Sequence, residues 1–302
     1  MSETSIGRGA EDRHRIDETK VKRLVDRIAD LQRVVVAFSG GADSTLLLAV
    51  CLQVLGNDNV VAATADSPTL PRQELDETRA LARELGATHV VFTSHEMEDE
   101  RFRTNPTDRC YYCKAELLAH LRILAKSHNM YSIVYGATAA DLGDHRPGMH
   151  AAVQAGAVAP LLDAGLNKDD VRALSRRLGL RTWDKPAMAC LSSRFPYGTP
   201  LTKEGLTRVE KAEDFLRREL GFRQVRVRDQ GEAGVPIARI EVESDHLLHL
   251  VQEPLRSQVI ERLKAVGYTY VTLNLEGFRS GSLNDVLSTQ ERASLQEPVE
   301  EV

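Results

Sequence analysis

Residues 34–45 read VVVAFSGGADST, an apolar run of β-branched residues that passes through two glycines into a helical segment. Gly40 and Gly41 let the backbone turn tightly and approach a ligand closely. The amides of this turn and of the helix that begins near Ser44 point to one spot, where the helix dipole adds positive potential. The polar side chains beside the glycines are those of Ser39, Asp43 and Ser44. The segment therefore predicts a strand, a phosphate-binding loop and a helix, with Asp43 capping the helix or helping to hold Mg²⁺.

The chain beyond this segment alternates short β-branched runs with amphipathic helical runs as far as about residue 180. Such alternation predicts an α/β fold, a doubly wound parallel sheet with helices on both faces. In that architecture ligands bind beyond the carboxyl ends of the strands. The predicted strands are 34–39, 60–65, 89–93 and 132–137, and the predicted helices are 44–55, 71–85, 114–128 and 168–178.

The pattern changes after the segment 185–200, which contains proline, glycine and serine. A smaller C-terminal α+β domain is expected from helices at 202–220 and 253–266 and strands at 224–229, 237–242 and 268–275. We therefore place the domain boundary near residue 185. The predicted organisation is a disordered tail, a nucleotide-binding domain, a substrate domain and a second tail, at 1–18, 19–185, 186–289 and 290–302.

The composition is that of a soluble globular protein, with 42% hydrophobic and 27% charged residues in a chain of 302. No uninterrupted apolar stretch approaches the roughly 18 residues of a membrane span. The polar N-terminus MSETSIGRGAEDRHR has no apolar core of the kind that secretory signals contain. We therefore expect a cytoplasmic protein without a membrane partner. A net charge of −5 and only 5% aromatic residues argue against nucleic acid as the main partner.

Structural disulfides are rare in a reducing compartment, so the four cysteines are not expected to form them. Cys51 lies in the apolar run LLLAVCLQVL and is interpreted as a small buried hydrophobic residue. Cys110 and Cys113 form a Cys-x-x-Cys pair, which is compatible with zinc, redox chemistry or a cluster. With Cys190 they make three thiols and no obvious fourth ligand, which favours a [4Fe–4S] cluster with an open iron, although three unrelated thiols are the alternative. Cys190, beside Arg194, is alternatively a nucleophile that attacks an acyl-adenylate.

SGGADS resembles the pyrophosphate loop (PP-loop) of the N-type ATP pyrophosphatases, the adenine nucleotide alpha hydrolase-like enzymes. These enzymes cleave ATP between the α- and β-phosphates and adenylylate a substrate. Unlike a Walker loop, the segment contains no lysine of its own. By this resemblance Asp66, in ATADSP, lies where the family binds adenine and ribose, although a plain turn residue is the alternative. The segment YGATAADLGDHRPG ends a later strand with the candidate nucleotide ligands Gly136, Asp141 and Arg146, or is a solvated loop.

With SGGADS, DLGDHRPG and ACLSSRFPYG in this order, the chain resembles the LarE family of ATP-dependent sacrificial sulfur transferases. That family makes the nickel-pincer nucleotide cofactor of lactate racemase, and the resemblance covers roughly residues 20–280. It implies that pyridinium-3,5-biscarboxylic acid mononucleotide is adenylylated on a carboxylate by ATP with Mg²⁺. Sulfur then displaces AMP, and two rounds give the bisthiocarboxylic acid. The resemblance also implies a homo-oligomer, commonly a hexamer.

Two sulfur sources occur in this family. In one type, a cysteine that matches Cys190 gives up its own sulfur and becomes dehydroalanine. In the other type, the same cysteine and a Cys-x-x-Cys pair hold a [4Fe–4S] cluster that passes on a sulfide. Because the chain has Cys110 and Cys113, it resembles the cluster type.

The second domain is expected to hold the nucleotide substrate. The alternation in VRVRD puts Arg226 and Arg228 on one face of a strand, where they would clamp a phosphate, unless that face is merely exposed. Arginines that match them in the family resemble phosphate ligands. Arg194 is a further candidate ligand for a carboxylate or phosphate. The candidate metal ligands in this domain are Glu210, Glu241 and Asp245.

Three other functions stay open at this point. Some tRNA thiolases also join a PP-loop to three cysteines, but the acidic balance and ACLSSRFPYG count against this alternative. An amide-forming synthetase such as NAD or GMP synthetase would not need three thiols. A non-catalytic nucleotide-binding or redox-sensing module would bind ATP without releasing pyrophosphate.

Overall fold

The computed structural model describes residues 16–141, 147–231 and 234–287. The chain divides into two compact units, the first comprising 1–66, 72–94 and 113–188, and the second comprising 67–71, 95–112 and 189–302. Two short segments from before residue 185 thus group with the C-terminal part of the chain, which the sequence pattern does not indicate. The N-terminal helix also begins within the predicted tail, because Ile16 is buried and Asp17 accepts a 2.8 Å hydrogen bond from the Thr19 amide as N-cap.

A four-stranded parallel sheet forms the centre of the first unit and confirms the predicted α/β class. Its strands are β1 (Val34–Ala37), β2 (Val60–Asp66), β3 (Thr88–Thr93) and β4 (Ser132–Tyr135), in the spatial order β3-β2-β1-β4. The helices are α1 (Glu18–Leu31), α2 (Ala42–Leu55), α3 (Arg72–Glu84), most of α5 (Arg109–Ser127), α6 (Pro147–Gln154), α7 (Pro160–Asp163) and α8 (Lys168–Arg177). β1 and β4 end before the predicted residues 39 and 137, because the chain leaves the sheet there to form loops at its carboxyl edge.

β1 lies between β2 and β4 and is buried along most of its length. The crossover helices of a parallel sheet cover both of its faces, which explains why VVVA in this central strand is continuously apolar rather than alternating. α2 is likewise buried nearly all round, with Leu46, Leu47 and Leu48 fully buried in the same core as Val34 and Val36. This packing fixes the N-terminus of α2 at the carboxyl edge of β1.

The second unit is built on a three-stranded mixed sheet of β5 (Val225–Gln230), β6 (Ile237–Val242) and β7 (Tyr270–Leu273). β5 and β6 are antiparallel, whereas β6 and β7 are parallel. Its helices are α4 (Glu100–Arg103), α9 (Lys203–Asp214), α10 (Leu247–Leu250) and α11 (Leu255–Ala265). The helix predicted at 202–220 is divided, since a π-helical turn, Phe215–Glu219, follows α9. None of the helices in the described ranges is long and apolar enough to cross a membrane.

Backbone hydrogen bonds join the two early segments of the second unit to its C-terminal part. The amides of Leu191, Gly198 and Leu201 donate, at 2.8 Å each, to the carbonyls of Thr69, Asn105 and Arg103. These bonds fix the two ends of the loop that contains ACLSSRFPYG, near Leu191 and near Gly198. Pairing over such long separations leaves no local pattern, so the sequence analysis could not find it.

Candidate active site

The loop between β1 and α2 makes a tight turn that requires glycine at its centre. Gly40 has a φ of 69°, and a Cβ on it would lie 2.6 Å from Thr78 Cγ2 on α3. The hydroxyls of Ser39 and Ser44 lie 3.1 Å apart, and Ser44 donates to the Gly41 carbonyl at 3.2 Å. Gly41 is the N-cap of α2, so no side chain covers the first amides of this helix. Those amides are therefore oriented to bind an anion, as the sequence predicts.

Gly136 follows β4 and lies against the first turn of α2. A Cβ on Gly136 would be 2.9 Å from the Ser44 nitrogen and 3.0 Å from the Asp43 carbonyl carbon. Both are backbone atoms, which cannot rotate out of the way. β1 and β4 pair in parallel, so their carboxyl ends open at the same edge of the sheet. The structure thus brings Gly136 directly to the PP-loop.

One lysine bridges two acidic residues of this edge. Lys168 Nζ lies 2.6 Å from Asp43 Oδ2 and 3.6 Å from Asp141 Oδ2. Asp141 is buried, and its Oδ2 accepts hydrogen bonds from the Thr138 amide at 2.7 Å and hydroxyl at 3.0 Å. Both carboxylates therefore lie within 4 Å of one ammonium group at the carboxyl edge of the sheet. The sequence analysis missed Lys168, which is 125 positions from Asp43 and has no motif around it.

A second lysine contacts the backbone of the loop. Lys185 Nζ donates to the Gly40 carbonyl at 3.1 Å and to Glu74 Oε2 at 2.8 Å, and Glu77 lies 3.6 Å away. Because both glutamates are on α3, Lys185 ties the left-handed Gly40 peptide to that helix. The only feature of the sequence that distinguishes Lys185 is the proline that follows it, and this does not predict a contact with the loop. The cations near this loop therefore come from distant residues and not, as in a Walker motif, from the loop itself.

Asp66 ends β2 at the same sheet edge and forms an ion pair with Arg72 at the start of α3. β2 is the parallel neighbour of β1, which places Asp66 one strand away from the PP-loop. Its role as an adenosine ligand stays a prediction. Arg146, the other charged candidate for the nucleotide, lies outside the described residues.

The four cysteines have different surroundings. Cys51 is fully buried in α2, and burial raises the pKa of its thiol to about 12. This confirms Cys51 as a small apolar core residue. Cys110 and Cys190 are exposed, and Cys113 is partly exposed.

Cys110 and Cys190 lie near the same tyrosine in the second unit. Burial raises the pKa of the Tyr197 hydroxyl. The Arg109 charge lowers this pKa, whereas Cys110 and Cys190 raise it. The Arg109 guanidinium lies 4.9 Å from the centroid of the Tyr197 ring. The Tyr197 hydroxyl donates to Asn284 Oδ1 at 2.8 Å. The Cys-x-x-Cys segment and the ACLSSRFPYG segment therefore each bring one sulfur to the surroundings of Tyr197.

Lys114, the residue after the Cys-x-x-Cys pair, was not singled out from the sequence. Burial lowers the pKa of its ammonium, with the adjacent Cys113 thiol opposing that effect. Its Nζ lies 5.2 Å from the centroid of the Tyr135 ring, at the carboxyl end of β4. A lysine with a lowered pKa gives up its proton more readily than an ordinary surface lysine.

Arg194 differs from its expected role as a ligand of the substrate, because its side chain is fully buried and already engaged. Its Nε and Nη2 donate to the two carboxylate oxygens of Glu213 at 2.7 and 2.9 Å. Its Nη1 donates to the carbonyls of Ala189 at 3.0 Å and Cys190 at 3.2 Å. Arg194 therefore holds the backbone that presents the Cys190 thiol, and its location in a polar loop concealed this buried position from pattern analysis.

Glu213, on α9, is the buried partner that the sequence analysis missed. Burial opposes its ionisation, but the charges of Arg194 and Arg217 hold the pKa of Glu213 at about 2. The only signal in the sequence is an acidic residue at a core-facing position of a helix.

Arg226 and Arg228 share one face of β5, as the alternation predicts, and both are buried. Arg228 donates to Glu241 Oε2 from Nε at 3.0 Å and from Nη2 at 2.8 Å. Arg226 lies 5.1 Å from the Phe278 ring centroid, and burial, with the charge of Arg194, lowers the pKa of Arg226. Binding of a phosphate by Arg226 and Arg228 stays a prediction.

The predicted metal ligands of this unit are not brought together. Glu241 is fully buried and lies between Arg228 and Arg239, the latter at 3.2 Å, whereas Asp245 is exposed. Glu241 balances arginine charge, and a metal role for Glu210 or Asp245 stays a prediction. Within the three described ranges, no three His, Cys, Asp or Glu side chains are arranged as a metal-binding group.

Comparison with known proteins decides the family. Residues 17–137, which include the PP-loop, match the NAD synthase domain family. A pyridinium-3,5-bisthiocarboxylic acid mononucleotide synthase of Lactiplantibacillus plantarum is 42% identical over 276 residues, which cover 91% of this chain and 98% of the relative. The chain belongs to this synthase family. Uncharacterised proteins of Synechocystis and Methanocaldococcus jannaschii are 42% and 27% identical, over 90% and 82% of this chain and 99% and 92% of their own lengths.

Membership of the bisthiocarboxylic acid mononucleotide synthase family confirms the resemblance drawn from the SGGADS, DLGDHRPG and ACLSSRFPYG segments. The NAD synthase match and the parallel sheet together confirm a PP-loop domain, which supports the use of ATP. Three of the four thiols are at least partly exposed. Cys110 and Cys113 are one helical turn apart on α5, and Cys190 shares the surroundings of Tyr197 with Cys110.

Proposed function

We propose that this chain is an ATP-dependent sulfurtransferase that converts the carboxylates of pyridinium-3,5-biscarboxylic acid mononucleotide to thiocarboxylates. The product would supply the nickel-pincer cofactor of lactate racemase. The observation that carries the proposal is the 42% identity to a relative named for this product, over 98% of its length. The PP-loop supports the ATP-dependent step, and the accessible thiols support the sulfur step.

In the first step a carboxylate oxygen of the substrate attacks the α-phosphorus of ATP. The bond from that phosphorus to the α–β bridging oxygen breaks, and its electron pair leaves with pyrophosphate. The amides at the start of α2 bind phosphate oxygens, helped by the Ser39 and Ser44 hydroxyls. Asp43 and Asp141 would hold Mg²⁺, which offsets the charge that develops on pyrophosphate.

In the second step a sulfur nucleophile attacks the carboxyl carbon of the acyl-adenylate. The bond from this carbon to the AMP oxygen breaks, and AMP leaves with the electron pair. Adenylylation is necessary because oxide is a poor leaving group. Arg226 and Arg228 hold the phosphate of the substrate mononucleotide in this proposal.

The sulfur has two possible sources in this chain. Cys190, held by the backbone contacts of Arg194, can attack as a thiolate and form a thioester. Removal of the Cys190 α-proton then breaks its Cβ–Sγ bond, which leaves dehydroalanine and a thiocarboxylate. In the alternative, Cys110, Cys113 and Cys190 hold a [4Fe–4S] cluster, which supplies a sulfide when bound. Because the chain has all three thiols, we favour the cluster.

The experiment combines the substrate with ATP and Mg²⁺ under anaerobic conditions and follows nucleotides and products by mass spectrometry. We expect one AMP and one pyrophosphate for each oxygen that is exchanged for sulfur. Release of pyrophosphate without a sulfur-containing product would contradict the proposal. Pyrophosphate release that depends on added tRNA would favour a tRNA thiolase instead.

The sulfur source is tested by reconstitution with iron and sulfide. If the cluster is correct, the wild type takes up about four irons per chain and shows broad visible absorbance. Cys113→Ala should lose both signals, whereas Cys51→Ala, which changes a core thiol, should keep them. A wild type that takes up no iron and loses the mass of H2S at Cys190 after turnover, as conversion to dehydroalanine requires, would establish the sacrificial source.

We also propose that the protein is a cytoplasmic homo-oligomer, with a hexamer as the expected size. Light scattering of the purified full chain measures the assembly directly.

A further inference from the structure

We propose that Arg109 binds the substrate carboxylate that is not being activated, and so selects a pyridinium ring that carries a second anionic group. The inference rests on the sulfur step of the proposed function, which brings one carboxyl carbon of the ring to the accessible thiols. It gives a role to a buried cation that the described residues leave without a partner at two of its donor atoms.

Arg109 is a buried cation with unused hydrogen-bond donors. Only 3% of the residue is exposed, and its Nε and Nη1 have no hydrogen-bond partner in the described part of the chain. Arg109 is also the first residue of α5, where the helix dipole disfavours a positive charge. Burial of a charge is unfavourable unless an opposite charge compensates it. The fold therefore keeps Arg109 at a cost to stability, which an anionic ligand would offset.

The contact with Tyr197 leaves room for such a ligand. The Arg109 guanidinium lies 4.9 Å from the centroid of the Tyr197 ring, and the Tyr197 hydroxyl donates to Asn284 Oδ1 at 2.8 Å. A guanidinium over an aromatic face keeps its N–H donors in its own plane, where they can still pair with a carboxylate. Cys110, the next residue in the chain, is exposed. The buried cation is therefore one residue away from a surface that a ligand can reach.

A second arginine in the same segment has the partner that Arg109 lacks. Arg101 also lies 4.9 Å from the centroid of a tyrosine ring, that of Tyr112. Its side chain is 70% exposed, and its Nη2 and Nε donate to Asp99 at 2.8 and 3.0 Å. The exposed arginine is thus paired with a carboxylate of the protein, although it needs one less. This contrast indicates that a ligand supplies the carboxylate for Arg109.

The chemistry of the substrate identifies this anion. The phosphate is at the ribose end of the mononucleotide, whereas both carboxylates are on the pyridinium ring. Sulfur has to reach one ring carboxyl carbon, so the anion nearest to the thiols is the other ring carboxylate. Arginine pairs with a carboxylate through strong, charge-assisted hydrogen bonds. After the first round the ring turns, and the new thiocarboxylate, which is also an anion, takes the place beside Arg109.

The first test compares two ligands that differ in one charge. Nicotinic acid mononucleotide and nicotinamide mononucleotide share the ring and the phosphate, but the first has a carboxylate where the second has a carboxamide. Isothermal titration calorimetry without ATP should show that the full wild-type chain prefers the acid about thirtyfold. Arg109→Met should reduce this preference to under about threefold and leave the affinity for the amide unchanged, and Arg109→Lys should recover part of it. The control, Arg101→Met, should keep the preference of the wild type.

The outcomes separate this proposal from the proposed function. Equal wild-type affinities for the acid and the amide would overturn the role of Arg109, even if the bisthiocarboxylic product is formed. An Arg109→Met variant that loses both ligands in parallel would also overturn it, because Arg109 would then only support the site. A wild type that binds neither ligand would do the same, and the mass-spectrometric turnover assay shows independently whether the proposed function fails.

The second test measures thermal unfolding without ligand, which a purely supporting residue would change in the opposite direction. Methionine is uncharged, and its sulfur can still pack against the Tyr197 ring. Arg109→Met should therefore raise the Tm of the ligand-free chain by about 2 °C, whereas Arg101→Met should change it by under about 1 °C. A lower Tm for Arg109→Met than for the wild type would show that the arginine stabilises the fold, and would overturn the proposal.

Discussion

Replacing Glu213 with glutamine removes the charge that balances a group of buried arginines in the second unit. Glu213 is fully buried, and so is Arg194, which donates to both of its carboxylate oxygens. Glu213 also accepts hydrogen bonds from Arg217 and, at 2.9 Å, from the Val227 amide on β5. Glutamine has almost the same shape, but it is neutral and one of its two terminal atoms is a donor. The Glu213→Gln variant therefore leaves the Arg194 charge buried and uncompensated.

Two arguments give the size of this effect. Removal of one partner from a buried ion pair lowers the free energy of unfolding by about 3–5 kcal/mol. Independently, the pKa of Glu213 is about 2 where the ordinary value is 4.5, a difference that corresponds to about 3 kcal/mol at neutral pH. Because the folded state lowers this pKa, the stabilisation is complete above the ordinary value. It is lost as the pH falls from about 4.5 towards 2.

Urea denaturation followed by far-ultraviolet circular dichroism measures the free energy of unfolding. The matched control is Asp214→Asn, which changes the next residue, a partly exposed carboxylate 3.5 Å from Arg218. We expect a loss of about 3 kcal/mol for Glu213→Gln and under about 0.5 kcal/mol for the control. Hydrogen exchange at the Val227 amide should accelerate in Glu213→Gln, since its acceptor is altered.

The pH dependence supplies a separate check. Between pH 5 and 2 the free energy of unfolding should fall by about 3 kcal/mol more in the wild type than in Glu213→Gln, because the variant has no carboxylate to protonate at this position. A Glu213→Gln variant within about 1 kcal/mol of the wild type at neutral pH, or an equal effect of Asp214→Asn, would refute the reasoning.

Two further predictions concern the first unit. Gly136→Ala places a Cβ against the backbone of Asp43 and Ser44, so it should displace the PP-loop and slow pyrophosphate release about a hundredfold. Stopped-flow detection of pyrophosphate measures this rate, and an unchanged rate would contradict the close approach of Gly136 to α2. Lys185→Met removes the cation that joins Gly40 to Glu74 and leaves the Glu74 carboxylate buried without this partner. It should raise the KM for ATP, measured by steady-state kinetics, and lower the free energy of unfolding by about 1–3 kcal/mol, measured by urea denaturation. A variant as stable as the wild type would show that Lys185 does not support the loop.

Local patterns in the sequence were sufficient for the fold class and for the centre of the nucleotide site. The strands of the first unit and the loop VVVAFSGGADST follow from β-branched runs, helix stop signals and two adjacent glycines, which act over a few residues. Helix boundaries were predicted less well where tertiary packing intervened. The helix expected at 202–220 ends as α9 at Asp214 and continues as a π-helical turn.

The sequence alone also identified the three candidate sulfur ligands, because Cys110 and Cys113 have Cys-x-x-Cys spacing and Cys190 lies in the ACLSSRFPYG segment. What the sequence could not show was that the segments 67–71 and 95–112 join the second unit. Their hydrogen bonds to the chain around Cys190 connect residues that are about a hundred positions apart, and no local periodicity records such a contact.

Chain order and residue type thus determined which chemistry this protein can perform, and only the tertiary structure decided which charged groups are available for it. Arg194, which resembles a ligand in the sequence, is buried against Glu213, whereas Lys168 and Lys185 reach the PP-loop from far along the chain. The reason is physical. Motifs and periodicities arise from interactions between near neighbours, but the pairing of charges depends on burial and on distances of a few ångströms, which exist only in the folded chain.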